Sequence, residues 1–510
     1  MGRHVTYQVE RGYALDGQTP AFEAIQSVDG VIVWVGTAKE ARRRVPSSTI
    51  RRLDGAYLVP GLVDTHLHLG LMGRGADAVD LSTAQSVDDL VSAVWARANS
   101  PWIEGVGWDD GQWSTPLDAA ALHQRLPDIP ILLTRRDHHA GWASRALLAH
   151  AGSTATEHDP EGGRIERDAN GLPTGLLIDT ALDPVRKALP TPDATQRRRW
   201  LERALSRCRA MGLTGVHEIC TPRADMDALS TLARDGELPI RVDTFLYADD
   251  PDNAPLLERG PIPGQRLSVV GAKLFCDGAL GSRGAWLSAP YADDPTTQGL
   301  KIVAGPQLTA RVLAYAHVGF AVAIHGIGDA AVAEIAAAYT QARAAGIVTP
   351  LRLEHAQIVS PEALSVLGTA GVTCAVQPIH ALDDASWYRD RLGPRLSAWA
   401  YRLRSLVDAG IPVVLGTDAP ISGLDPMKSL RAAIDPARPR GGLEALTIED
   451  AFRCHSVAAP FAAGKPHPGA FIGRRADFTL LDGDPFSGRD LGSIGVVGTL
   501  IDGALPHPAS

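Results

Sequence analysis

Short apolar runs alternating with longer amphipathic stretches organise the chain from about residue 61 to 459. Ten runs have strand character, at residues 62–66, 103–108, 130–135, 214–219, 240–247, 268–275, 320–325, 351–355, 371–376 and 412–417. They are short and rich in Val, Ile, Leu and Ala, as expected of strands covered on both faces of a parallel sheet. The segments between them carry helical spacing. Thr195 to Met211 places Leu201, Leu205 and Cys208 on one face and is followed by Gly212, where a helix-ending glycine belongs. Ala330 to Ala345 is an alanine-rich stretch of the same kind. Strand and helix in alternation predict the α/β class, and eight strands close a (β/α)8 barrel. About 145 residues separate His68 from Leu213, far more than one crossover helix needs. The two runs inside that interval are therefore assigned to an insertion at 70–190. Barrel strands are then expected to end at His66, His217, Tyr247, Phe275, His325, His355, Val376 and Thr417.

The flanks have a different rhythm. Residues 24–36 hold Asp29-Gly30 between two apolar runs, a strong hairpin signal, and residues 476–484 and 494–501 form two further strands. Residues 1–60 and 460–510 are expected to build one composite β-sandwich domain around a barrel at 61–459.

Charge and composition then narrow the partners. The net charge is -9 with no long basic run, which argues against nucleic acid. Arg42–Arg44 and Arg197–Arg199 look like solvated helix faces. Five scattered cysteines without a C-x-x-C spacing fit neither a disulfide framework nor a zinc finger, and suit a reducing, cytoplasmic setting. No apolar run approaches the roughly 18 residues of a membrane span, and the N-terminus has no apolar leader.

Barrel enzymes carry their chemistry at the C-terminal ends of the strands. The run from Leu58 ends on His66, with His68 two residues on, and side chains at i and i+2 leave a strand on one face. The two imidazoles can address one ion, although an isolated H-x-H is equally compatible with unrelated histidines. Lys273 stands inside an apolar strand, and an unpaired buried ammonium is costly. It is therefore paired, for instance with Glu218, or neutral, or modified to a carbamate. His325 and His355 end two consecutive strands on the same rim. Asp418 follows the last one, either as a turn residue or as a ligand that also accepts a proton. Imidazole and carboxylate suit zinc and similar divalent ions.

The set His66, His68, Lys273, His325, His355 and Asp418 resembles the amidohydrolase superfamily. Four phrases narrow the resemblance to the amidohydrolase family 3 branch of YtcJ-like proteins and N-substituted formamide deformylases, over about residues 20 to 485. They are Gly107-Trp108-Asp109-Asp110, the stretch Lys273 to Arg283, Ile324-His325-Gly326-Ile327-Gly328-Asp329 and Glu354-His355-Ala356-Gln357. The chain departs from that pattern at Asp137-His138-His139 and at Cys454-His455-Ser456.

The resemblance implies a distorted barrel with two divalent cations, zinc first, with manganese, iron or cobalt accepted. His66, His68 and Asp418 would hold the buried ion, His325 and His355 the exposed one, and a carbamate on Lys273 would bridge them. Asp418 would take a proton from the attacking water and deliver it to a leaving nitrogen. The implied activity is hydrolysis of a small non-peptide amide or formamide. A mononuclear deaminase, a lactone or ester hydrolase and a catalytically silent scaffold stand as alternatives. Trp108, Asp110, His139 and Gln377 are candidate substrate contacts, with Trp108 and Trp113 equally suited to packing the insertion. Asp277 and Asp329 are expected to order the metal shell, and the terminal β module offers a contact for a homodimer.

Overall fold

All ten expected strands form, but they divide between two sheets. Eight of them make one parallel sheet in chain order: Leu62–Leu67, Leu213–Thr221, Arg241–Tyr247, Leu267–Phe275, Ala321–Gly326, Leu351–His355, Thr373–Val376 and Val413–Leu415. This computed structural model describes residues 3–505 apart from 98, 116, 127, 153–157, 436–441 and 466–470. Hydrogen bonds join the first strand to the last. Asp418 N donates to His66 O at 2.7 Å, His68 N to Ala419 O at 2.8 Å, and Thr65 Oγ1 to Leu415 O at 2.8 Å. The sheet is thereby a nearly closed, distorted (β/α)8 barrel.

Two strand ends differ from expectation by more than one residue. The second strand continues past His217 to Thr221, because Ile219 and Thr221 stay fully buried beyond the polar pair that broke the apolar pattern. His217 therefore lies inside the barrel, with Nδ1 2.9 Å from Arg352 Nη1. The last strand stops at Leu415, two residues short of Thr417.

The helices at Ala194–Ala210 and Asp329–Ala344 sit where the spacing put them. Asp193 caps the first by accepting from Gln196 N at 2.7 Å, and Gly212 takes the left-handed φ of +89° that ends it. Leu201, Leu205 and Cys208 face the barrel. Arg197 is not simply solvated: it pairs with Asp225 at 2.7 Å.

The strands Ile103–Trp108 and Ile131–Arg135 belong to a separate six-stranded sheet with Val79–Asp80, Ala140–Ala143, Gly163–Arg167 and Pro173–Asp179. It has its own core of Leu90, Val94, Trp108, Leu122, Leu133 and Trp142. The termini supply a third sheet, in the order Val496–Leu500, Phe478–Leu481, Ile50–Pro60, His4–Gly12, Phe22–Val28 and Val31–Gly36. Asp29 (φ +48°) and Gly30 (φ +77°) make the tight turn expected between its last two strands. The described residues of the termini give one sheet where a sandwich was expected; of 460–510, residues 466–470 and 506–510 lie outside the described residues. Phe22, Phe471 and Phe478 cover a face of this sheet. Arg241 of the third barrel strand ties it down through Asp477 at 2.6 Å and Asp502 at 2.5 Å. All five cysteines are free, and no helix among the described residues is long and apolar enough to cross a membrane.

Candidate active site

Closure of the barrel sets Asp418 against the H-x-H pair. Asp64, inside the first strand, accepts from Thr417 Oγ1 at 2.6 Å and from the backbone N–H of His66 at 3.1 Å, so one buried carboxyl holds both strand ends in register. Burial pushes that carboxyl up to about 7, against these hydrogen bonds. His66 and His68 then converge as the strand period predicts: their Nε2 atoms lie 3.5 and 3.2 Å from the same oxygen, Asp418 Oδ1.

The hydrogen bonds behind these rings fix their tautomers. His66 Nδ1 donates to Glu354 Oε2 at 2.6 Å, His68 Nδ1 to the carbonyl of Ile219 at 2.8 Å, and His355 Nδ1 to Gln377 Oε1 at 2.9 Å. Each partner can only accept, so each imidazole keeps its proton on Nδ1 and presents a lone pair from Nε2. Burial reinforces this by lowering His66 to about 4 and His355 well below the usual histidine range. Among the described residues, Asp418 Oδ1, buried among these rings, has no hydrogen-bond donor. One donor atom each from His66, His355 and Asp418 lie within 4.8 Å of one another. Lone pairs crowded together without protons repel unless a cation sits among them. The donor set therefore fits a divalent ion of the kind that takes nitrogen and oxygen ligands.

His325 stands beside this group, its ring centroid 4.4 Å from that of His355. Its Nε2 lies 3.3 Å from the carbonyl of Gly278, leaving Nδ1 as the lone-pair atom. Asp277, which accepts the backbone N–H groups of Trp286, Ile327 and Gly328 at 2.8 to 3.1 Å, shapes the loops around His325. Asp329 accepts from Ser288 N at 3.0 Å on the same side. Lys273 is fully buried, and burial lowers its amine. Its Nζ faces the Phe275 ring at 4.7 Å. Glu218 is not its partner, since that carboxylate accepts Leu69 N at 2.6 Å.

The remaining expected contacts separate. His139 lines a cavity of about 590 Å³ that also contains the histidines and Asp418. Trp108 does not: it is a core residue of the insertion, its Nε1 donating to Leu133 O at 3.0 Å, and Trp113 packs on the same core. Asp110 pairs with Arg135 at 3.2 Å, and Gln377 is taken up by His355. Packing and pairing account for these three, because each is satisfied within the protein.

Several residues at the site escaped the sequence reading. Arg352 and Glu354, both fully buried, form a two-pronged pair at 2.9 and 3.1 Å beneath His66. Burial alone would raise the Glu354 carboxyl, but the guanidinium and the His66 Nδ1–H hold it down at about 2. Charged residues inside an apolar strand were the available signal, the one that flagged Lys273. His380 Nε2 lies 3.7 Å from Asp418 Oδ2, and Asp179 Oδ1 lies 2.5 Å from His139 Nδ1. Nothing in the local sequence marks either. Burial works against a charged His139, but the Asp179 carboxylate outweighs it and raises the imidazole. Asp179 is seated against Gly278 and Gly284, where an added Cβ would come within 2.3 and 2.6 Å of Asp179 Oδ2. Gly278→Ala is expected to displace Asp179 and release His139. The check is the downfield Nδ1 proton resonance of His139 in the NMR spectrum, present in the parent and absent from the variant.

His138 (φ +59°), Asp179 (+50°), Cys220 (+67°), His355 (+71°) and Asp418 (+60°) all hold left-handed backbone. Such conformations cost about 1–3 kcal/mol each and persist where surrounding structure enforces them, as at catalytic sites.

Five arginines line the cavity among the described residues. Arg74 pairs with Glu104, Arg135 with Asp109, Asp110 and Asp137, Arg136 with Asp383, and Arg197 with Asp225. Arg186 is the fifth.

A strand-end cluster of lone-pair imidazoles and a carboxylate, at the C-terminal rim of a distorted barrel, defines a metal-dependent hydrolase. The chain belongs to the amidohydrolase family, whose model matches residues 52–505. It is 31% identical to YtcJ of Bacillus subtilis over 96% of each chain. It is 26% identical to an N-substituted formamide deformylase of Arthrobacter pascens, covering 97% of this chain and 96% of that one. Among solved structures it is similar to an uncharacterized metal-dependent hydrolase from Pyrococcus furiosus, with a TM-score of 0.75, 25% identity, and coverage of 95% of this chain and all of the other.

Proposed function

We propose that this protein hydrolyses the C–N bond of a small non-peptide amide of the formamide type, using two divalent ions, zinc first. The observation that carries the reading is the convergence of Nε2 lone pairs from His66 and His68 on the unpartnered oxygen of Asp418. The Arthrobacter relative, a deformylase of N-substituted formamides, supports the choice of bond. In this reading His66, His68 and Asp418 would hold one ion and His325 and His355 the other, and a carbamate formed on Lys273 would supply a further oxygen ligand. Ions held there supply Lewis acidity, lowering the pKa of water and polarising a carbonyl.

The protein's own residues do the rest. Glu354, Ile219 O and Gln377 keep the three imidazoles in the ligand tautomer. Asp418 Oδ1 has no competing hydrogen bond among the described residues, so it is free to accept the proton of the attacking water. A buried Lys273 whose amine is lowered is suited to add carbon dioxide, losing one proton as the carbamate forms.

A one-ion aminohydrolase is the competing reading, favoured by the compactness of the His66, His355 and Asp418 group alone. The test is reconstitution with zinc and a screen of N-formyl, N-acetyl and cyclic amides alongside amine and lactone substrates. Two ions per chain, a carbamate carbon-13 signal lost in Lys273→Met, and amide turnover are expected. One ion per chain without that signal sinks the two-ion site, and turnover confined to deamination or lactones sinks the amide.

A further inference from the structure

The exception among the cavity arginines points to the substrate. Arg186 lines the cavity and donates to the carbonyl of His138 at 2.7 Å, while no carboxylate of the described residues lies within 4.0 Å of it. Asp183 and Asp179 face it from beyond that distance, and Asp179 is already bound to His139. A guanidinium has five N–H donors in a planar fork matched to a carboxylate, and this one spends a single donor on the protein.

A second donor lines the same cavity: Tyr247, which ends the third barrel strand. Its hydroxyl has no hydrogen-bond partner among the described residues. Its ring contacts Phe275 at 6.1 Å between centroids, and Phe275 contacts His325 at 5.2 Å. Tyr247 thus lies two ring contacts from His325, and His138 links Arg186 to the neighbouring His139. A cavity of about 590 Å³ has room for far more than a formyl group.

We propose that the substrate is an anionic amide, whose carboxylate is bound by Arg186 and Tyr247 while its amide lies at the histidine cluster. This rests on the hydrolytic reading above and names its substrate class. Arg186 supplies the forked charge-assisted contact and Tyr247 a single hydrogen bond. Arg186 is exposed to the cavity, so a neutral amide of the same length leaves the guanidinium to water and forgoes the forked contact; discrimination lies in ground-state binding and falls on KM.

The test uses the zinc-loaded full chain and a ladder of N-formyl ω-amino acids, from glycine to 6-aminohexanoate, each beside the N-alkylformamide of matched length. At one rung the acid is expected to exceed its neutral partner about 100-fold in kcat/KM, mostly through KM. In Arg186→Gln that ratio collapses towards one, and in Tyr247→Phe it falls about tenfold. Calorimetric binding of the best acid to the metal-free protein, stronger in the parent than in Arg186→Gln, gives a readout that needs no turnover. A parent that prefers neutral amides at every rung, or an Arg186→Gln variant that keeps both the preference and the binding, overturns the proposal. Binding that depends on Arg186 without hydrolysis of any amide would leave the carboxylate subsite standing and reject the hydrolytic reading instead.

Discussion

Asp418→Asn is expected to lower kcat by about 10³–10⁴-fold on the amide that the zinc-loaded protein turns over, with the fold retained. Asparagine keeps the shape of the side chain and one acceptor oxygen, so the left-handed turn at φ +60° and the bond from Asp418 N to His66 O survive. What disappears is the negative charge facing the Nε2 atoms of His66 and His68, and with it the carboxylate proton acceptor placed there. Metal content must be measured beside kcat, because the same charge helps to hold the ion. A variant with its full metal complement and a kcat within tenfold of the parent would remove Asp418 from the chemistry.

Arg352→Met is the substitution with the largest expected cost in stability. It leaves Glu354 fully buried with its compensating charge gone, a change worth about 3–5 kcal/mol. It also withdraws a bond from Arg352 Nη2 to the carbonyl of Thr65 at 3.0 Å, next to His66. Because Glu354 orients His66, zinc affinity is expected to fall about 10–100-fold, as for other residues that position a ligand. The double variant Arg352→Met/Glu354→Gln removes both charges and is expected to recover part of the lost stability while its zinc affinity stays low. Urea unfolding and chelator competition on the two variants check this. A single variant as stable as the parent, or a double variant worse than the single, would show that the pair is not coupled as the 2.9 and 3.1 Å contacts imply.

Much of the site was legible because a parallel barrel imposes a simple grammar. Apolar runs mark its strands, and polar residues closing those runs mark its rim, which is how His66, His68, His325, His355 and Asp418 stood out. Lys273 was visible because a charge inside such a run needs a reason. Arg352, Glu354 and Asp64 gave the same signal more faintly, being charges that pair with each other or with hydroxyl and backbone groups across the barrel.

The substrate side was less legible, since a side chain's residue type does not say which partner satisfies it. Trp108 and Asp110 belong to a family phrase in the insertion, yet one is core and the other is bound by Arg135. Asp179, His380 and Arg186 come from connections of irregular length, whose path over the rim no periodicity specifies.

The division of the ten strand-forming runs between barrel and insertion was an expectation drawn from the length of one connection, while the runs themselves and the residue types at the rim were readable from the sequence alone. Those follow from local rules, the period of two along a strand and the burial of both faces of a parallel sheet. The tertiary structure decided which nitrogen of each metal-site histidine carries the proton, that the termini share one six-stranded sheet, and that one cavity arginine has no carboxylate partner among the described residues. Several of these depend on partners hundreds of residues apart, such as His66 with Glu354 or Thr417 with Asp64. Barrel closure brings them together, and only the closed barrel fixes which donor meets which acceptor.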